Sequence, residues 1–160
     1  MSQKKIGAKI VIDGEQEFRS ALQQSKNALK EFDSELKLVS AQFKNNERSM
    51  DALKAKQAVY QKQQQELTKT SKILVEQIQK ANTAYKSAEE AQAKQAEHIK
   101  KLEKALEDAR KQYGENSDEV ERLERELSEA NVEYEKQGRQ LTSLSNKITK
   151  WNTELNKTQT

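Results

Sequence analysis

Apolar side chains recur along most of this chain at alternating steps of three and four residues. One run covers residues 18–43, a second covers residues 50–113 and a third covers residues 120–155. A mean step of 3.5 residues keeps these side chains on one face of a helix, which is the pattern of a left-handed coiled coil. The pattern therefore predicts an all-α fold of three helices. The central helix is much the longest, at about 95 Å for a rise of 1.5 Å per residue.

Two short polar segments interrupt the pattern and predict turns. Ser49 is placed to cap the second helix, and Gly114 to end that helix in a left-handed conformation. Asn116 with Glu119 resembles a capping box for the third helix, and Asp13 is placed to cap the first. Because short connections join antiparallel neighbours, we expect both outer helices to fold back on the central one as coiled-coil hairpins.

Folding back at these turns brings the free ends of both outer helices to the same part of the central helix. Phe18 then lies near Val75, and Leu155 lies near Ile78. Apolar residues spread beyond the single stripe at this point, as a junction of three helices requires. We therefore predict a helix junction built from Phe18, Ile73, Leu74, Val75, Ile78, Trp151 and Leu155. A parallel oligomer of extended helices, with the two breaks acting as hinges, is the alternative architecture.

The first dozen residues follow a different pattern. Ile6, Ile10 and Ile12 alternate with other residues well enough to predict a short β-strand, which Asp13 and Gly14 close. A single strand is not stable alone, so these isoleucines are predicted to contact another copy or a partner, or to lie against the junction. The predicted organisation is a strand and turn in residues 1–14, the first and central helices in 15–113, and in 114–160 a third helix antiparallel to the second half of the central one.

Composition narrows the classes of function. The 160 residues are 34% charged and 33% hydrophobic, with no Pro, no Cys and four Gly. This leaves too few apolar side chains for a thick core and excludes disulfides and thiolate sites. No apolar run approaches the roughly 20 residues that span a bilayer. The 29 basic and 26 acidic residues are interspersed, whereas a nucleic-acid-binding protein usually gathers its basic residues on one face.

No group of residues in the sequence has the spacing of a catalytic, cofactor-binding or metal-binding site. His98 is the only histidine and is interpreted as an ordinary residue flanking the apolar stripe. The carboxylates of residues 119–126 alternate with arginines on a solvated helix face, which does not desolvate or converge them. We therefore predict no enzymatic activity, no cofactor and no metal.

Four stretches of the sequence resemble a known family. They read KIG…IVIDGEQEFR at residues 5–19, ELKLVSAQF at 35–43, SMDAL at 49–53 and KQYGENSDEV at 111–120. Together they resemble the N-terminal region of tail tape measure proteins of long-tailed bacteriophages and prophages. The strand followed by Asp-Gly-Glu is the more specific part, because any coiled coil shares the composition of the remainder.

The resemblance implies a structural role in phage tail assembly. Members of the family are long helical chains that lie in several copies inside the tail tube, and their length sets the length of the tail. Tail assembly chaperones bind the tape while the major tail tube protein polymerises around it. The implied location is the lumen of the virion tail, and the host bacterial cytoplasm during assembly. Because members are much longer than 160 residues, we expect this chain to be an N-terminal piece.

The sequence leaves two alternative functions open. A stand-alone coiled-coil adaptor or scaffold would require a gene that ends at Thr160. A nucleic-acid-binding rod would show a salt-sensitive affinity for DNA. The favoured interpretation predicts no specific nucleic-acid binding and no membrane contact for this segment.

Overall fold

The computed structural model describes residues 12–160, which form three α-helices and no strand. Helix α1 is Glu15–Gln42, α2 is Met50–Tyr113 and α3 is Asp118–Gln159. The all-α prediction, with the longest helix in the centre, is confirmed for this part of the chain. Of the residues predicted to form a strand, Ile6 and Ile10 lie outside the described residues. Ile12 immediately precedes the turn into α1 and pairs with no strand there.

The first two helices begin in different ways. Gly14 is the N-cap of α1, with a left-handed backbone at φ 74°, and no side chain caps the helix. The prediction that Asp13 caps α1 is therefore wrong, because the chain turns into the helix one residue later. Ser49 caps α2 as predicted, since its Oγ accepts a hydrogen bond from the backbone N–H of Ala52 at 3.1 Å.

The turn between α2 and α3 depends on one glycine and one serine. Gly114 adopts φ 83°, as predicted, and its N–H donates to the carbonyl of Arg110 at 3.1 Å. The cap of α3 is Ser117, whose Oγ accepts a hydrogen bond from the N–H of Val120 at 3.2 Å. The predicted cap at Asn116 is one residue too early, because the helix starts at Asp118.

Internal contacts divide the described residues into two compact units. The three-helix unit comprises Ile12–Lys80 and Thr149–Thr160, and thus contains α1, the first part of α2 and the end of α3. The two-helix unit is Ala81–Ile148, formed by the rest of α2 and α3.

In the three-helix unit, α1 runs antiparallel to α2. The buried hydroxyls of Ser25 and Thr70 are hydrogen-bonded, and further along α1 the Nζ of Lys62 lies 2.8 Å from the carboxylate of Glu35. Residue numbers thus rise along one helix as they fall along the other. The predicted stripe of α1 faces inward, with Phe18 and Ser25 buried and most of its other members half-buried.

The N-terminal part of α2 departs from the predicted packing. Met50, Leu53 and Tyr60 lie on the predicted stripe, yet their side chains are 67%, 52% and 54% exposed. The face toward α1 is instead made of small and polar residues, among them the buried Ala52, Val59, Thr70 and Gln77. In this unit α2 has two helical neighbours and therefore two inward faces. The apolar pattern marks only the face directed away from α1.

The two-helix unit follows the predicted stripes. Its buried core is formed by Leu102, Leu106, Ala109, Val120, Leu123 and Ala130, with Ile99 and Leu127 packed against it. The Nε2 of Gln95 donates to the carbonyl of Ala130 at 3.0 Å, and Arg110 pairs with Glu124 at 2.8 Å, so the helices run antiparallel. Two aromatic residues of the stripe, Tyr113 and Tyr134, are 59% and 38% exposed.

Candidate functional site

Two of the predicted junction residues form an aromatic contact in the three-helix unit. The rings of Phe18 in α1 and Trp151 in α3 have centroids 5.0 Å apart and planes at 74°, an edge-to-face arrangement. Both side chains are 5% exposed. Such a pair adds about 0.5–1.5 kcal/mol beyond the burial of its area. This contact fixes the start of α1 against the end of α3.

The junction residues differ in how deeply they are buried. The fully or nearly buried members are Phe18, Leu74, Ile78 and Trp151. Ile73 and Leu155 are half-buried, whereas Val75 is 39% exposed. Of the predicted junction residues, Leu74 and its apolar neighbours thus lie inside the unit, whereas Val75 lies on its surface.

The angular position of Val75 around α2 explains its exposure. Phe18 was expected near Val75, but it lines a small cavity together with Ile73 and Gln77. Val75 is two positions from each of these residues, which is about 200° around a helix with 3.6 residues per turn. Val75 therefore lies on the side of α2 opposite to the residues that line this cavity.

A polar layer lies inside the junction. Ser25, Thr70 and Gln77 are 2%, 5% and 3% exposed. The hydroxyl of Thr70 donates to the carbonyl of Glu66 at 2.8 Å, so Ser25 is the donor in its bond with Thr70. The Nε2 of Gln77 has no hydrogen-bond partner in this structure. The sequence marked Ser25 as the one polar position on the α1 stripe, but Thr70 and Gln77 carried no such signal because they lie off the predicted stripe of α2.

An ion pair closes the edge of the junction between α1 and α3. The Nζ of Lys26 lies 3.5 Å from one carboxylate oxygen of Glu154, and Lys157 lies 3.1 Å from the other. The hydrogen bond from Lys157, with the positive charge of Lys26, holds the pKa of Glu154 below its ordinary value against the opposing effect of burial. Glu154 is thus charged and paired where α3 meets α1.

Of the residues predicted to contact a partner, Ile12 alone lies in the described part of the chain. Its side chain is 3% exposed, and its carbonyl accepts a hydrogen bond from the N–H of Glu15 at 3.0 Å. Ile12 therefore packs within the chain and is not a surface group. Ile6 and Ile10 lie outside the described residues.

Residues 12–160 hold no group of three or more His, Cys, Asp or Glu side chains that could bind a metal ion. His98 is exposed, and the acidic stretch of α3 is occupied by local ion pairs. Arg122 lies between Glu119 and Glu126, and its hydrogen bond lowers the pKa of Glu119. No helix of this range has a segment both long and apolar enough to span a bilayer. Within residues 12–160, the junction is where side chains of α1, α2 and α3 lie together, which makes it the candidate site for helix association.

Comparison of the chain with protein-family models, with curated proteins and with solved structures gives no match. The resemblance of the four sequence stretches to tape measure proteins therefore stands on those residues alone.

Proposed function

We propose that this chain is the N-terminal region of a tail tape measure protein of a long-tailed bacteriophage or prophage. The observation that carries the proposal is the 64-residue α2, an uninterrupted helix flanked by two more helices of 28 and 42 residues. A chain that measures length needs a constant rise per residue, which a continuous helix supplies at about 1.5 Å. The four resembling stretches point to the same family.

We propose further that the helix pairs are coiled-coil hairpins. In the two-helix unit the packed residues 99, 102, 106 and 109 of α2, and 120, 123, 127 and 130 of α3, alternate in steps of three and four. That spacing is the one at which side chains of two helices interlock as knobs and holes. In the three-helix unit, the same spacing is kept by the inward residues of α1.

The partners follow from the proposed role. Other copies of the chain lie beside it, tail assembly chaperones bind it before the tube closes, and the major tail tube protein polymerises around it. The segment with Ile6 and Ile10 is proposed to pair as a strand with another copy or with a chaperone. The protein would then reside in the host cytoplasm during assembly and in the tail lumen of the virion, without specific contact to nucleic acid or membrane.

The direct test is to look for this chain in tails. Mass spectrometry of tails purified from the phage or induced prophage that encodes it is expected to detect peptides of residues 12–160 in several copies per particle. Absence from purified tails contradicts the proposal and favours the stand-alone adaptor.

A second experiment tests the measuring role. In-frame deletion of helical heptads from the encoded protein, followed by electron microscopy, is expected to give shorter tails of uniform length. The shortening is at most about 1.5 Å for each residue removed, the value for a fully extended helix. Tails of unchanged length would contradict the measuring role even if the protein is present in them.

A further inference from the structure

A row of large apolar side chains is left uncovered on the first turns of α2. We call Met50, Leu53, Gln57 and Tyr60 the outer stripe. Its three apolar members are between 52% and 67% exposed. Single exposed apolar residues are normal on protein surfaces, but several aligned on one helix face mark an interaction surface. The outer stripe is therefore the strongest candidate for a binding surface in the described residues.

The outer stripe continues an interface that already exists in the three-helix unit. Steps of four and three residues lead from Ser71 through Leu67, Gln64 and Tyr60 to Leu53. At the inner end of this line, Leu67 and Ser71 share an open groove of about 320 Å³ with Thr158 and Gln159 of α3. The same face of α2 is thus covered by α3 up to residue 67 and bare beyond it.

The edges of the bare groove carry lysines, together with one acidic residue of α1, Asp33, which accepts a hydrogen bond from Gln63 at 2.9 Å. Lys26 on α1 pairs with Glu154 of α3. Lys37 follows Lys26 by eleven residues, only about 20° away around the helix, and is exposed on the same side. On α2, Lys54 precedes Lys72 by eighteen residues, about five whole turns, and Lys72 lines the groove beside the end of α3. Where α3 ends, the bare groove thus keeps a lysine on each side.

We propose that the outer stripe binds an acidic amphipathic helix of another protein, laid antiparallel to α2 in line with α3. The apolar residues of this helix would pack on Leu53 and Tyr60, and its Glu or Asp residues would face Lys37 and Lys54, as Glu154 faces Lys26. Two copies of this chain suit the surface poorly, because pairing stripe to stripe would bring its lysines together. The proposal rests on this geometry and does not depend on the tape measure assignment.

A synthetic helix provides the test with the full 160-residue chain. The probe is a fluorescent 21-residue peptide with Leu at steps of three and four and Glu on both flanks, used below the concentration at which it self-associates. A second peptide, used for comparison, has Lys in place of every Glu. Fluorescence anisotropy is expected to show binding of the Glu peptide and at least about tenfold weaker binding of the Lys peptide, as charge complementarity requires.

Variants of the chain locate the site. Tyr60→Ser is expected to weaken binding of the Glu peptide by about tenfold or more, which is the range for the loss of a central aromatic contact. Leu38→Ser, at a side chain that is 65% exposed on α1, is the matched control and is expected to leave the affinity within about twofold. Lys54→Glu is expected to weaken binding of the Glu peptide and to strengthen binding of the Lys peptide. Unchanged circular dichroism of each variant shows that the helices are intact.

Three results would overturn the proposal. The first is that neither peptide binds, or that both bind equally. The second is that Tyr60→Ser and Leu38→Ser behave alike. The third is that the chain alone forms a concentration-dependent dimer in sedimentation experiments that Tyr60→Ser abolishes, which would assign the outer stripe to a second copy. None of these results bears on whether the protein is found in tails.

Discussion

At the scale of single residues, the junction combines one deeply buried leucine with a polar layer. Leu74 is fully buried, while Ser25, Thr70 and Gln77 occupy neighbouring inward positions. Polar side chains in a helix interface lower its stability but disfavour other registers, because a shift would leave them without partners. The apolar residues thus supply most of the binding between these helices, and we interpret the polar layer as a device that selects their alignment.

Leu74 gives the clearest prediction at this scale. Leu74→Ala removes a buried side chain between three helices and is expected to destabilise the protein by about 2–5 kcal/mol, the range for core leucines. Leu38→Ala, at an exposed position on α1, is the matched control and is expected to change stability by less than about 0.5 kcal/mol. Urea unfolding followed by circular dichroism measures both. Equal effects of the two substitutions would mean that the junction does not form.

The ion pair at Glu154 predicts a dependence of stability on pH. Because Lys157 and Lys26 lower its pKa in the folded state, Glu154 binds a proton more weakly there than in the unfolded chain. Its contribution is therefore complete above the ordinary glutamate pKa of about 4.3 and is lost as the pH falls through the lower folded-state value. Glu154→Gln is expected to reduce stability at neutral pH and to flatten this part of the acid profile. An unchanged profile between wild type and variant would show that the pair contributes nothing.

At the scale of helices, the apolar pattern predicted each of the three helices. It predicted only one of the two inward faces of α2. The number of helices, their order and the turns at Ser49 and Gly114 follow from apolar spacing and capping residues, which are local properties. The face of α2 toward α1 could not be found in this way, because residues such as Ala52 and Gln77 give no periodic apolar signal. It exists only because α1 folds back on it.

The junction shows the same limit. Leu74 and Ile78 were predicted from the widening of the apolar pattern, and Trp151 from the third apolar run folding back to it; all three are buried. The register could not be predicted to better than a few residues, because several alignments of two apolar stripes bury similar areas. Val75 was predicted in the junction because it lies in the wide apolar patch at the level expected for Phe18, and it is surface-exposed because it faces away from the residues that pack near Phe18. The burial of Gln77 likewise depends on how the helices are aligned, which local sequence does not specify.

Two glycines give helix-scale predictions of opposite sign. Gly138 lies inside α3, and an added Cβ would come within 3.3 Å of the terminal amide nitrogen of Gln92, which is held by a long hydrogen bond of 3.5 Å to the carbonyl of Tyr134. That amide can move, so Gly138→Ala is expected to stabilise the protein by up to about 1 kcal/mol through helix propensity. Gly114 has φ 83°, which alanine adopts only with strain, so Gly114→Ala is expected to destabilise by about 1 kcal/mol.

Thermal unfolding of the two alanine variants beside wild type checks this pair of predictions. The melting temperature is expected to rise for Gly138→Ala and to fall for Gly114→Ala. A fall for both would mean that Gln92 cannot move aside and that the helices approach closely at Gly138. A rise for both would contradict the left-handed turn after α2.

At the scale of the whole chain, the described architecture requires the helices to fold back on one another within one molecule. In the alternative of extended helices in a parallel oligomer, positions 25 and 70 of one chain are about 68 Å apart at 1.5 Å per residue. In the fold described here, the side chains of Ser25 and Thr70 are in contact. The two architectures therefore differ most at this pair.

The decisive measurement is a disulfide between these two positions. The chain has no cysteine, so the double variant Ser25→Cys, Thr70→Cys introduces the only two thiols. Mild oxidation of the folded protein is expected to join them rapidly within one chain, giving a monomer of altered mobility on non-reducing gels and a raised melting temperature. The pair Ser25→Cys, Thr68→Cys places the second thiol on another face of α2 and is the matched control, expected to oxidise slowly. Cross-linked dimers in place of the intramolecular product, or equal oxidation of both pairs, would contradict the folded-back architecture.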